Sequence, residues 1–302
     1  MSDLNLQLIE STLEKINIAV NRATTAEVLG LPEEIFAQDF SMALGEARQT
    51  LCLLIGLEIE SKQRILEVGA GLGIASCALS IIGHDVVALE PGGIGFESNQ
   101  KLSVVLAEQL RSEVSVINET AELVKFPQDS KFDFIISNNV LEHVQDYERA
   151  LKNLSECLSE SGMMIHSCPN YTFPYEPHFG SPLIPFFPRL TKFVIPKRIS
   201  KSGLWQSLNF ISARQLKKIF CDSDSVVLFK RGQMAKSFIR LSEDEEFKKR
   251  HSALGRIAAS KIFLAIMKRT LNLPYWLATP MTFAIVHRSK SSEPRVLAWL
   301  EN

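Results

Sequence analysis

Apolar positions recur at helical spacing over residues 5–20 (NLQLIESTLEKINIAV) and 33–58 (EEIFAQDFSMALGEARQTLCLLIGLE), so residues 1–60 read as a helical cap. From residue 64 the pattern changes. RILEVG, DVVALE, VSVIN, FDFIISNN and GMMIHSCP are short runs, apolar almost throughout, and GIASCALSIIG, GFESNQKLSVVLAEQLRS and VQDYERALKNLSECLS between them are helical. Strands without polar alternation, separated by helices, predict a mostly parallel sheet covered on both faces, which is an α/β fold. SARQLKKIFCD reads as a further helix, and SVVLFKRG and MTFAIVHR as further strands, giving roughly seven strands. Two stretches interrupt the alternation, at about 169–211 and 232–280, and the second holds a basic helical segment near 243–272. The expected organisation is a cap over 1–60 and one α/β domain over 61–302 that carries both inserts.

The first insert opens with PNYTFPYEPHFGSPLIPFFP, residues 169–188, with six prolines and six aromatics around Glu176 and His178. Proline lacks a backbone donor and breaks helices, so an irregular loop is expected. Pro182, Pro185 and Pro188 recur every third residue, which suits polyproline II. In open parallel sheets ligands bind at the carboxyl ends of the strands. The loop starts where the fifth strand ends, which places its aromatics as a lid over an acceptor site.

Composition adds compartment and partners. The chain has 302 residues, 46% hydrophobic and 22% charged. Its five cysteines are odd in number, lack a CxxC pair, and point to a reducing, cytoplasmic setting with no metal expected. The amino-terminal stretch carries acids where a secretory leader would be basic and then apolar, and no run reaches the roughly 18 apolar residues of a membrane span. The net charge of −1 hides an asymmetry: residues 187–302 hold 22 Lys and Arg against 8 Asp and Glu. Leu254, Ile257, Ile262 and Phe263 beside Lys and Arg could lie in a membrane interface. Three readings stay open: an anionic membrane surface at the inner face, an anionic lipid-linked or sugar-phosphate acceptor, and an ordinary solvated basic face.

The chemistry starts at ILEVGAGLGIAS, where Gly69, Gly71 and Gly73 stand between the first strand and a helix. Glu67 precedes them, and Glu90 ends the next strand 17 residues after Gly73. Glycine lets the backbone approach a ligand, and a carboxylate at Glu90 can accept from vicinal ribose hydroxyls. A nicotinamide site would show G-x-G-x-x-G/A, whereas Ile74 holds the last position here.

In this order, LEVGAGLG, ALEP and FDFIISNNVLEHVQDYERALKNLSECLSESGMMIHSCPN resemble the class I S-adenosylmethionine-dependent methyltransferases, closest to the small-molecule branch with NVLEHV. The resemblance covers residues 62–170 well and 205–288 through strand order. It implies a Rossmann-like sheet and S-adenosyl-L-methionine as cofactor. It also implies that Gly69, Ala70, Gly71 and Gly73 line the methionine end, that Glu67 holds the amino group and that Glu90 holds the ribose. ETAEL matches the adenine turn at Thr120 and Ala121, although the family often has an acid where Thr120 stands, which leaves adenine to Glu119, Glu122 or backbone groups. Asn138 and Asn139 would sit beside the sulfonium.

Methyl transfer from a sulfonium needs alignment and exclusion of water, and an oxygen or nitrogen acceptor also needs a base. His143 in NNVLEHV and His178 in YEPHFG compete for that role. The acceptor is expected to be a small molecule, a glycan intermediate or a lipid-linked compound, with oxygen the expected target. SNNV stands where base-amino methyltransferases carry Asn/Asp-Pro-Pro-aromatic, which disfavours nucleic acid. The rivals are a non-catalytic scaffold of the same fold and a nicotinamide oxidoreductase.

Overall fold

The computed structural model describes residues 4–57, 59, 62–92, 98–127, 129–237 and 273–301. The apolar runs become β1 (Arg64–Val68), β2 (Asp85–Leu89), β3 (Ser115–Ile117), β4 (Phe132–Asn138) and β5 (Leu158–Cys168). β8 (Ser225–Phe229) and β9 (Met281–His287) follow the inserts. They form one sheet in the order β3-β2-β1-β4-β5-β9-β8, parallel except that β9 runs against both of its neighbours. The crossovers that keep β1 to β5 parallel are α4 (Ile74–Ile82), α5 (Asn99–Gln109) and α6 (Tyr147–Glu156). The seven-stranded, Rossmann-like sheet expected from the sequence is present.

Each face is closed by its own apolar layer. On one face Ile65, Phe134, Ile136, Ile165 and Val286 pack with α4 and with α1 (Leu6–Ala19) and α3 (Glu33–Cys52), through Ile9, Ile16, Phe36 and Phe40. On the other, Leu66, Ile135, Met164 and Ile285 pack with Leu151 and Leu154 of α6 and Leu216 of α9 (Ala213–Ile219). Local chemistry sets the helix starts. The side chains of Asn5, Asn21 and Asp146 accept from Leu8 N (2.9 Å), Thr24 N (3.1 Å) and Arg149 N (3.0 Å) at the heads of α1, α2 (Arg22–Leu29) and α6. Among the described residues, no helix is long and apolar enough to cross a membrane.

The structure departs from the sequence reading in two places, and one further expectation lies outside the described residues. The polyproline II expectation fails: Pro182 lies in a two-strand ladder, β6 (Tyr175–Glu176) with β7 (Ser181–Pro182), Phe186 takes φ +65, and Pro188 opens a 3-10 helix, Pro188–Phe193. Two short helices, α7 (Lys197–Ser200) and α8 (Gly203–Ser207), complete the first insert. A terminal helix, α10 (Pro294–Glu301), went unread because its apolar face spans two turns. It buries Trp299, whose Nε1 donates to Leu53 O at 2.7 Å and so ties the chain's end to the cap. The basic segment at 243–272, with Leu254, Ile257, Ile262 and Phe263, lies outside the described residues.

Trp299→Ala removes a fully buried ring and orphans a carbonyl. It should lower unfolding stability by about 3–5 kcal/mol, read from urea denaturation; a loss under about 1 kcal/mol would show that α10 is not integral to the core.

Candidate functional site

The turn after β1 holds all three glycines at positive φ: Gly69 +68, Gly71 +57 and Gly73 +75. Their surroundings separate their roles. A Cβ on Gly69 would lie 2.5 Å from Val140 Cγ2, and one on Gly73 would lie 2.4 Å from Ser103 Oγ of α5. These two glycines let neighbouring elements close up. A Cβ on Gly71 would meet nothing within 4 Å, so this glycine borders open space at the sheet's carboxyl edge. Ala70, buried, donates from its N to Leu89 O at 3.2 Å, as Gly69 N does at 2.7 Å.

Two buried carboxylates flank that space. Glu67, at 5% exposure, accepts from the Ser76 hydroxyl of α4. Burial pushes its carboxyl up to about 7, against the Ser76 hydrogen bonds and with the help of Glu90's charge. Glu90 accepts from Gly71 N at 2.7 Å on Oε2 and from Gly92 N at 3.0 Å on Oε1. Its burial raises the carboxyl, and the two N–H groups offset part of the rise. A carboxylate has about four lone-pair positions, so roughly two remain for a pair of hydroxyls.

The turn at residues 119–124, expected at the adenine, is stapled rather than open. Asn153 of α6 donates to Ala121 O (2.9 Å) and Val124 O (2.7 Å), and the Ala121 side chain is buried in the core. Thr120 N donates to Glu119 Oε1 at 2.8 Å, so Glu119 caps its own turn. Asn138, half-buried, ends β4 opposite Ser167. Asn139 is exposed at φ +55 and donates from N to Ser167 O at 2.8 Å.

The two candidate histidines meet. His143 and His178 lie ring to ring, with centroids 5.2 Å apart. His178 Nδ1 is 2.6 Å from Oε1 of Glu176, and its Nε2 is 3.8 Å from Glu142 Oε1. Both carboxylates are fully buried. Glu176 is satisfied: it accepts from Phe179 N (2.8 Å) and Tyr171 OH (3.3 Å). Glu142 is not, since neither oxygen has a hydrogen-bond partner, and burial pushes its carboxyl up to about 7 although His178 pulls it down. Burial would lower His178, but Glu176 and Glu142 outweigh it and the imidazole is raised. His143 goes the other way, down to about 3, through burial and then the charge of His178; its Nδ1 is 2.7 Å from Ser207 Oγ. Glu142, His143 and His178 each offer one ligand atom, all within 4.8 Å of one another, and so could hold a divalent cation that residue spacing alone did not suggest.

Sequence reasoning missed two asparagines that join distant segments of the site region. Asn209, at the insert's far end, donates through Nδ2 to Leu141 O (2.6 Å) and Val144 O (2.7 Å), and its N donates to Glu142 O at 2.8 Å. Asn170 Nδ2 donates to Trp276 O and Ala278 O, both at 3.0 Å. Nothing in the local sequence distinguishes these asparagines. Glu142, inside the quoted NVLEHV, was the readable signal.

Known proteins resemble this chain as follows. The profile of a methyltransferase-domain family matches residues 43–225. A Mycobacterium tuberculosis protein of uncharacterized function is 34% identical over 191 residues, 61% of this chain and 64% of its own. The chain thus spans between about two-fifths and two-thirds of the length of the curated relatives it matches. A ubiquinone biosynthesis O-methyltransferase of Rickettsia conorii is 26% identical over 177 residues, 54% of this chain and 59% of its own. Among solved structures, phosphoethanolamine N-methyltransferase 2 of Haemonchus contortus with S-adenosyl-L-methionine superposes with a TM-score of 0.51 at 14% identity, over 78% of this chain and 51% of that one.

The site fits S-adenosylmethionine: open space at Gly71, a buried acid for an ammonium, and an acid with spare lone pairs for ribose. A role for Glu67 in pairing with the ammonium would require it to shed its proton. Affinity for the cofactor should therefore rise with pH up to about 7, by about tenfold per unit below that value, and Glu67→Gln should flatten the slope in calorimetric titrations. An unchanged slope in the variant would remove Glu67 from cofactor binding.

Proposed function

We propose that the chain, which belongs to the S-adenosylmethionine-dependent methyltransferase-domain family matched over residues 43–225, moves a methyl group to a hydroxyl oxygen of a small or lipid-linked acceptor, with His178 as the base. The observation that carries this reading is the position of His178 between the buried carboxylates of Glu176 and Glu142. When bound, the cofactor supplies an already activated methyl group, so the protein's share of the work is alignment, exclusion of water and one proton transfer.

Glu176 accepts the Nδ1 proton of His178 and leaves Nε2 to receive the acceptor's hydroxyl proton. The imidazolium that results sits beside two acids, which stabilises it. A base whose conjugate acid titrates near working pH combines availability with driving force. His143 titrates far below that range and is placed as a neutral wall, held by Ser207. Gly69 and Gly73 bring the cofactor turn close to its neighbours, and Asn138 and Asn139 stand at the adjoining strand end. Behind the cluster, Tyr171–Phe210, Trp205–Phe210 and Phe179–Trp205 form a chain of ring contacts at 5.1, 5.7 and 6.1 Å, which supports an acceptor with an apolar body. The Rickettsia relative's name supports oxygen as the target.

Transfer of labelled methyl to a panel of phenols, catechols, alcohols and amines tests the reading. Hydroxyl acceptors should be methylated, and His178→Asn should lower kcat by about 10²-fold or more with S-adenosylhomocysteine affinity unchanged. Transfer to amines alone, or full kcat in the variant, would overturn it. Tight cofactor binding without transfer to any acceptor would favour a scaffold.

A further inference from the structure

Twelve large apolar side chains are exposed among the described residues, and five of them fall in one nine-residue stretch: Phe186 (95%), Phe187 (62%), Leu190 (48%), Phe193 (75%) and Val194 (72%). Soluble surfaces scatter such residues singly, and a contiguous group marks an interaction site. Here exposure is built in. Thr191, 1% exposed, accepts from Ile184 N at 2.9 Å through Oγ1, Leu183 is buried, and Ile195 packs on the core beneath the sheet. The stretch is therefore pinned at its base and along its middle, with its rings turned outward. Phe186 holds φ +65, which costs free energy in a bulky residue and places its ring almost wholly in solvent.

The charge along this segment has one sign. Arg189, Lys192, Lys197, Arg198 and Lys201 are exposed, and residues 177–221 contain no Asp or Glu. Lys192 Nζ lies 5.0 Å from the centroid of the Phe193 ring, so ammonium and ring share one spot on the surface. Apolar side chains at the tip and cations around them match a bilayer interface, where rings enter the headgroup region and ammonium and guanidinium groups meet anionic headgroups. A second copy would fit poorly, because a two-fold contact would set this cationic rim against itself.

We propose that residues 186–201 form a docking surface for an anionic phospholipid bilayer. The surface belongs to the insert whose start carries His178 and whose end carries Ser207, so docking would bring the acceptor side of the site to the membrane. Five cations near an anionic leaflet, at about fivefold each, with two or three buried rings, are enough for reversible adsorption without a spanning helix. The inference concerns adsorption and holds whichever acceptor is methylated.

The test is co-sedimentation of the full chain with vesicles of equal parts phosphatidylglycerol and phosphatidylcholine, beside vesicles of phosphatidylcholine alone. Wild type should bind the anionic vesicles and leave them at about 0.5 M salt, where screening is nearly complete. Phe186→Ser/Phe193→Ser should weaken binding at least tenfold, and Arg189→Glu/Lys192→Glu should abolish it, with S-adenosylhomocysteine affinity kept as proof of folding. Absence of wild-type binding would overturn the proposal, as would equal binding by both variants, which would locate adsorption elsewhere. A concentration-dependent dimer that the serine variant dissolves, without vesicle binding, would assign the patch to a second copy instead.

Discussion

The carboxyl edge of the sheet depends on how closely the glycine turn can approach a neighbouring turn and a neighbouring helix. Gly69 has no Cβ, so Val140 can pack where that atom would be, and Val140 heads the turn that carries Glu142 and His143. Gly73 does the same for Ser103 on α5. A side chain at either glycine would push the β1 turn away from its neighbours and pull the cofactor pocket and the histidine cluster apart. The positive φ at all three glycines adds a second constraint, since other residues take that conformation at a cost of about 1–2 kcal/mol.

The rest of the site follows from that approach and from the first insert, which returns to the same turn twice. Its start delivers Glu176 and His178, and its end delivers Ser207 and Asn209. Asn209 fixes the backbone of residues 141–144 by hydrogen bonds, which holds Glu142 in a place where neither of its oxygens finds a hydrogen-bond donor. An acid left in that condition costs the fold stability, and buried acids of this kind cluster at functional sites. The insert thus divides its aromatics by task. Tyr171, Phe179 and Trp205 back the site, whereas Phe186, Phe187 and Phe193 face outward.

Much of this was legible in the sequence, for physical reasons. Strands buried on both faces leave unbroken apolar runs, so the parallel sheet could be read directly. The glycine turn was legible because close approach restricts which residues can serve, and Glu90 proves to accept from that turn at Gly71 N. The contacts between distant segments were not legible: Asn209 and Asn170 act through backbone carbonyls far along the chain, and asparagine is common in loops. The proline spacing misled because local hydrogen bonds, such as Ile184 N to Thr191 Oγ1, bend the chain out of polyproline II. The different settings of His143 and His178 also needed coordinates, since only burial and partners separate two histidines of equal intrinsic basicity.

The central claim is that the pocket bordered by Gly71 and Glu90 takes S-adenosylmethionine. Titration calorimetry of S-adenosylhomocysteine into wild type and Glu90→Ala, with NADH as control, tests it directly. Micromolar binding that the variant weakens by about tenfold or more, with no heat from NADH, is the predicted result. Absence of binding to wild type, or equal affinity in the two proteins, would contradict it.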